Sequence, residues 1–197
     1  PDNFAKFRMS LKAHNTPWKM RPIVCYAYTM LNNLSRWLDT WLQKLRPLIP
    51  SYIKGSGELL DLLQYLGPLP SNNKLFTADA NSMYTNIDTT HALEVISTWL
   101  KSLGDQLPDG FPLGAVIDAM GIVMRNNLFN WGDLHFLQLL GTAMGTSSAC
   151  MWATAYFGFG IHESAKLIPT YQLMMPLFRR FINDIFGKTD LNIFLPK

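Results

Sequence analysis

Phe76-Thr77-Ala78-Asp79-Ala80-Asn81-Ser82-Met83-Tyr84 and, in the far half of the chain, Phe181-Ile182-Asn183-Asp184-Ile185-Phe186 are the stretches whose reading decides the fold. Each sets a carboxylate beside a short apolar run that reads as a buried β-strand. An acid there is expensive unless a positive group, usually a metal, offsets its desolvation. The second stretch reads as the tip of a hairpin. Phe178–Ile182 and Ile185–Lys188 are extended runs, and Asn183-Asp184 between them tolerate the left-handed dihedrals a tight turn needs. Both polar side chains are expected to project from that tip.

Working outward, Leu75–Ala78 is expected to be the strand that ends at Asp79, preceded by a helix over Glu58–Leu66 closed by Gly67-Pro68. After it, Asp88 or Thr89 caps a helix whose stripe Leu93, Ile96, Leu100, Leu103 stops at Gly104. Another helix is predicted from Leu113 to Asn126. Leu128–Trp131 and Leu134–Leu139 flank Gly132-Asp133 as a hairpin, and a glycine- and hydroxyl-rich loop over Gly141–Ser148 leads into a helix towards Ser164. At the start of the chain, Phe4–Leu11 and Met20–Val24 form a hairpin carrying Lys12 and Arg21. The spacing of Met30, Leu34, Trp37, Leu38, Trp41, Leu42 and Leu45 predicts a helix over Tyr28–Leu45 with both tryptophans in its buried face.

The chain has 197 residues, 48% of them apolar and 16% charged, with a formal net charge of +3. That supports one sizeable core and at most a small attached lobe. The slight basic excess is compatible with nucleic acid without requiring it. Cys25 and Cys150 show no metal-ligand spacing and read as reduced thiols of an intracellular protein. Leu134–Ile161 lacks charged residues, but its turn formers favour strand, loop and buried helix over a membrane span. His91, His135 and His162 read as surface or helix-start residues. The pairs Arg179-Arg180 and Lys44/Arg46 read as solvated faces. No signal peptide opens the chain, and its abrupt limits are those expected of a fragment.

In order and spacing, Phe76–Tyr84, Gly141–Ala149 and Phe181–Asp184 resemble the three palm motifs of reverse transcriptases. Leu11-Lys12-Ala13-His14 and Arg21-Pro22-Ile23 resemble the fingers motifs of that family. Ser82–Ile87 and Gly141–Gly145 are most similar to the Penelope-like retroelement branch. The resemblance implies an α+β fold of reverse-transcriptase-like fingers (residues 1–74) and palm (residues 75–197), with a mainly antiparallel palm sheet backed by helices. Little sequence follows the last hairpin, so the primer-gripping thumb is expected to be absent.

The implied reaction is RNA-directed DNA synthesis, in which a primer 3′-hydroxyl attacks the α-phosphate of a dNTP with two Mg²⁺ (or Mn²⁺) ions assisting. By resemblance, Asp79 bridges the metals, the Ala80 carbonyl adds a backbone ligand, and Asn183 with Asp184 completes the catalytic set. Tyr84 lies beneath the incoming sugar and excludes a 2′-hydroxyl. Lys12 and Arg21 grip the triphosphate, and Gln138, Gly141 and Gly145 line nucleotide and template. The implied partners are an RNA or DNA template with its primer and a dNTP, with no membrane, and the implied location is nuclear.

Asn183 departs from the family's Asp-Asp, and removes an anionic ligand at the position the family uses for metal. A catalytically silent nucleic-acid-binding or scaffolding domain is therefore the alternative, and an interaction domain unrelated to polymerases a third. Read singly, Asp79 is more often a strand-end turn carboxylate and Lys12 and Arg21 are more often solvated charges, while Tyr84 is equally a core tyrosine and the Gly141 loop equally a plain connection.

Overall fold

The computed structural model describes residues 4–13, 16–49, 51–167 and 177–190. His14, part of one fingers-like motif, lies outside them, as does Asn15 of the expected first turn. The described residues form seven β-strands and five α-helices in two compact units, 1–45 with 82–153 and 46–81 with 154–197.

In the first unit, β1 (Ala5–Lys12), β2 (Lys19–Cys25), β4 (Leu128–Trp131) and β5 (Leu134–Leu137) make a four-stranded sheet in the order β2-β1-β4-β5. Pro22, which cannot donate to a ladder, sits on the edge strand β2, where that is tolerated. Alternation along β1 divides the sheet sharply. Ala5, Phe7, Met9 and Leu11 share a face with Val24, Pro22 and Met20 across the hairpin, and with Phe129, Trp131, Phe136 and Leu134 beyond. The opposite face carries Lys6, Arg8, Ser10 and Lys12 with Lys19 and Arg21. Ala5 and Val24 close the covered end of the apolar face against Tyr26 and Ala143, while Met9, Leu11, Met20, Trp131 and Leu134 remain exposed.

Helices α1 (Asn32–Gln43), α3 (Thr89–Leu103) and α4 (Leu113–Arg125) pack around this unit's second core. Leu38, Leu42, Ile96, Leu100, Met120 and Val123 are fully buried, each contributing about 1.5–3 kcal/mol of transfer free energy. Asp88 caps α3 as expected, its Oδ1 accepting the His91 N–H at 2.9 Å. The first helix is shorter than its periodicity predicts. It starts at Asn32, because Tyr28 takes a left-handed φ of 66° and Thr29–Leu31 form turns. Trp37 correspondingly lies on the exposed side rather than in the core.

The second unit holds α2 (Ser56–Leu66), β3 (Asn73–Asp79), β6 (Leu177–Phe181) and β7 (Asp184–Asp190), the three strands forming an antiparallel sheet in the order β3-β7-β6. Helix α5 (Ala149–Leu167) starts in the first unit and runs on into this one. Segment 51–53 extends the sheet beyond β6: the Arg180 N–H donates to the Ser51 carbonyl at 2.6 Å, and the Ile53 N–H donates to the Arg180 carbonyl at 3.0 Å. Gly187 has no Cβ because the Phe76 ring occupies that space, 2.3 Å from where one would lie.

Two sequence expectations change here. Strand β3 is an edge strand and mostly exposed, Asp79 included, so the burial argument for its carboxylate does not hold. Arg180, read as part of a solvated cluster, is only 2% exposed. No helix among the described residues is long and apolar enough to cross a membrane.

Candidate functional site

The register of β3 against β7 sets Asp79 directly opposite Asp184. Residues paired this way in an antiparallel ladder point to the same face, and like charges so placed repel. Asn183 lies beside them and donates its Nδ2–H to Asp79 Oδ1 at 2.6 Å. The Ala80 N–H donates to the Asn183 carbonyl at 2.9 Å, carrying the ladder to the hairpin tip. Asp79, Ala80, Asn183 and Asp184, drawn from opposite halves of the sequence, therefore meet at one end of one sheet.

The hairpin is built one residue differently from the sequence expectation. Its two-residue turn is Ile182-Asn183, and Asp184 is already the first residue of β7. The left-handed position falls on Ile182, with φ 56°, where a β-branched side chain is strained. Below the acidic pair, the open face of the sheet and the start of α2 enclose a groove of about 620 Å³. Thr77, Phe186, Arg179 and Phe181 form its floor, and Ile53, Ser56 and Leu59 its wall.

The donor chemistry suits one hard cation better than two. Asp79 and Asp184 offer anionic oxygens, which Mg²⁺ and Mn²⁺ favour, and Ala80 has a carbonyl beside them. Asn183, however, turns an N–H towards Asp79, so the third position presents a donor where a metal needs an acceptor. Among the described residues, no group of three or more His, Cys, Asp or Glu side chains is placed to hold a metal.

The remaining sequence-derived residues lie in the first unit. Arg21 is opposite Ser10 and Lys12 opposite Lys19, all on one sheet face. That face also carries Lys6 and Arg8, which the sequence reading passed over although the alternation Lys6-x-Arg8-x-Ser10-x-Lys12 was legible. Lys12 against Lys19 is a second like-charge cross-strand pair.

Tyr84 is half-buried in a short 3-10 turn over Met83–Thr85, and its carbonyl accepts the Thr142 N–H at 2.6 Å. Burial, chiefly, and the neighbouring Cys150 push its hydroxyl above the usual tyrosine range. Gly141, at φ 79°, passes so close to Tyr84 and Thr85 that a Cβ would lie 2.7 Å from their backbone. Gly145 likewise leaves room for the Val24 carbonyl, 2.2 Å from where its Cβ would be. The demand for glycine at both positions is thus met inside the unit, by one loop crossing others. Gln138 is tied locally, its Nε2–H donating to the Leu140 carbonyl at 3.0 Å.

The fold is similar to that of solved nucleic-acid polymerases. Apo telomerase from Candida tropicalis, truncated of its C-terminal domain, superposes with a TM-score of 0.65 at 14% identity, over 95% of this chain and 44% of that one. The fold is polymerase-like. Telomerase from Candida albicans, solved with a fragment of telomeric RNA, gives 0.63 at 12% identity, over 97% and 39%. The RNA polymerase complex inside a double-stranded RNA virus gives 0.64 at 10% identity, over 95% and 18%. The chain thus spans less than half the length of these structures. No protein-family model matches the sequence, and no curated protein matches it.

Proposed function

We propose that this chain is the core of a template-directed nucleic-acid polymerase of reverse-transcriptase type, with a nucleotidyl-transfer site weakened by Asn183. The observation that carries the reading is the Asp79–Asp184 pair, held opposite one another at the end of β3 and β7 with the Asn183 amide on Asp79. Two acids facing each other at a strand end, with only a neutral amide beside them, offer a site for a cation. In the other unit, a sheet face carrying Lys6, Arg8, Lys12, Lys19 and Arg21 suits phosphates. The polymerase-like fold supports the reading.

On this reading Asp79, Asp184 and the Ala80 carbonyl would hold Mg²⁺ or Mn²⁺, which when bound neutralises charge on the reacting phosphates. Lys12 and Arg21 hold the triphosphate, and Tyr84 selects dNTP. Gln138 and the Gly141 loop face nucleotide and template. The Penelope-like branch is the family whose motif phrasing fits best.

The second reading, a silent domain that binds nucleic acid, is favoured by the Asn183–Asp79 hydrogen bond, which satisfies the site without metal. Primer extension on an RNA template separates the two. Asn183→Asp restores the missing carboxylate and is expected to raise extension at least about tenfold, equivalent to 1.4 kcal/mol. Asn183→Asp with Asp79→Ala is expected to abolish it. Salt-sensitive template binding without extension in any version would leave the silent reading standing.

A further inference from the structure

Among the described residues, Arg180 is the largest buried charged side chain, and the proposed chemistry does not use it. It is 2% exposed, and its guanidinium donates to two main-chain carbonyls. One guanidinium nitrogen, Nη2, donates to the Thr154 carbonyl of α5. The other, Nη1, donates to the Ile182 carbonyl at 3.3 Å. Its backbone N–H and carbonyl are both engaged by segment 51–53. Gly158 clears the space: a Cβ there would lie 3.0 Å from Arg180 Nη2 and 2.5 Å from Ile49 Cγ2.

Ile182 is where this matters. It occupies the first position of the tip turn in a left-handed conformation that a β-branched residue resists. A carbonyl inside a two-residue turn has no ladder partner by position, and the next residue, Asn183, must stay oriented to reach Asp79. A planar guanidinium bonds two carbonyls at once in fixed geometry, which an ammonium on a flexible stem does not do.

We infer that Arg180 is a positioning residue. It ties the strained Ile182 carbonyl to α5 and thereby fixes the hairpin tip so that residue 183 meets Asp79. The tie concerns this chain's own hydrogen bonds, and only its bearing on metal and nucleotide rests on the polymerase reading.

The test is the Asn183 side-chain amide, followed by NMR in the full chain. Donation to Asp79 gives it a shifted, slowly exchanging proton. Arg180→Lys is expected to speed that exchange at least about tenfold while the backbone amides of α3 and α4 keep their dispersion. Adding Ile182→Asn, which tolerates the left-handed turn, is expected to return the slow exchange. A folded Arg180→Lys chain with an unchanged Asn183 signal overturns the inference, and so does the absence of rescue. Should Arg180→Lys alone not fold, the double variant decides: folded with the signal intact supports the tie, and unfolded shows that Arg180 serves the core at large.

A second arm reads function. In Asn183→Asp, adding Arg180→Lys is expected to weaken Mn²⁺ binding, followed by electron paramagnetic resonance, several-fold at an unchanged melting temperature after Ile182→Asn compensation. If Asn183→Asp binds no Mn²⁺ at all, the polymerase reading fails, and the amide signal still decides the role of Arg180.

Discussion

Asn183 converts a repulsive trio into a bonded one. With an acid at that position, three carboxylates would crowd the end of β3 and β7. The amide instead gives Asp79 a donor at 2.6 Å. Asn183→Asp is therefore expected to lower the stability of the metal-free chain by about 1 kcal/mol, the value of one exposed charge-assisted hydrogen bond plus screened repulsion. Millimolar Mn²⁺ is expected to restore it, and paired thermal melts with and without the ion read both effects. A variant equally stable in both conditions would show that no cation is held. Tyr26 offers a contrasting residue. Its hydroxyl donates to Asn127 Oδ1 at 2.8 Å inside the first unit, and burial raises its pKa to about 12. Because the folded form keeps the proton longer than the unfolded chain, its contribution is complete below pH about 10 and declines as pH rises towards 12. Tyr26→Phe is expected to destabilise by about 1–3 kcal/mol, since Asn127 loses a buried donor. It should also flatten the alkaline loss of stability seen in melts between pH 9 and 12.

Among the elements, those with a long period or a marked cap were legible. Helix α3 begins at its Asp88 cap and ends at Gly104, and α4 matches its expected span to one residue. The hairpins were legible because alternating runs flanked short polar turns. Three features were not, each for a physical reason. Leu75–Ala78 is a short apolar run, and such a run reads alike in a central strand and on an edge. In Phe178-Arg179-Arg180-Phe181, alternation forces one arginine inward, yet a phenylalanine lies on each face, so local pattern does not say which. The turn was misplaced by one residue because Asn183 and Asp184 suit left-handed dihedrals better than Ile182 does. The β6–β7 register pairs Phe181 with Asp184, which makes Ile182-Asn183 the turn and leaves the strain on isoleucine. The candidate site was legible as four residues in two motifs; the hydrogen bond that occupies it and the arginine beneath it depend on tertiary packing.

For the whole molecule, a net charge of +3 conceals an uneven distribution. Lys6, Arg8, Lys12, Lys19 and Arg21 are gathered on one sheet face. If this face meets a single-stranded template, the logarithm of affinity should fall with the logarithm of salt with a slope near −0.7 for each phosphate neutralised. Replacing Lys6, Arg8 and Lys19 with Gln is expected to reduce that slope by about 2, measured by fluorescence anisotropy across a salt series. An unchanged slope would remove this face from the nucleic-acid contact. The reverse of the same sheet has a different consequence. Met9, Leu11, Met20, Trp131 and Leu134 give it an oily exterior beside the open edge of β5, a combination that invites sheet-to-sheet sticking between copies. Handled alone, the polypeptide will be a poor colloid, soluble when dilute and clumping as it is concentrated.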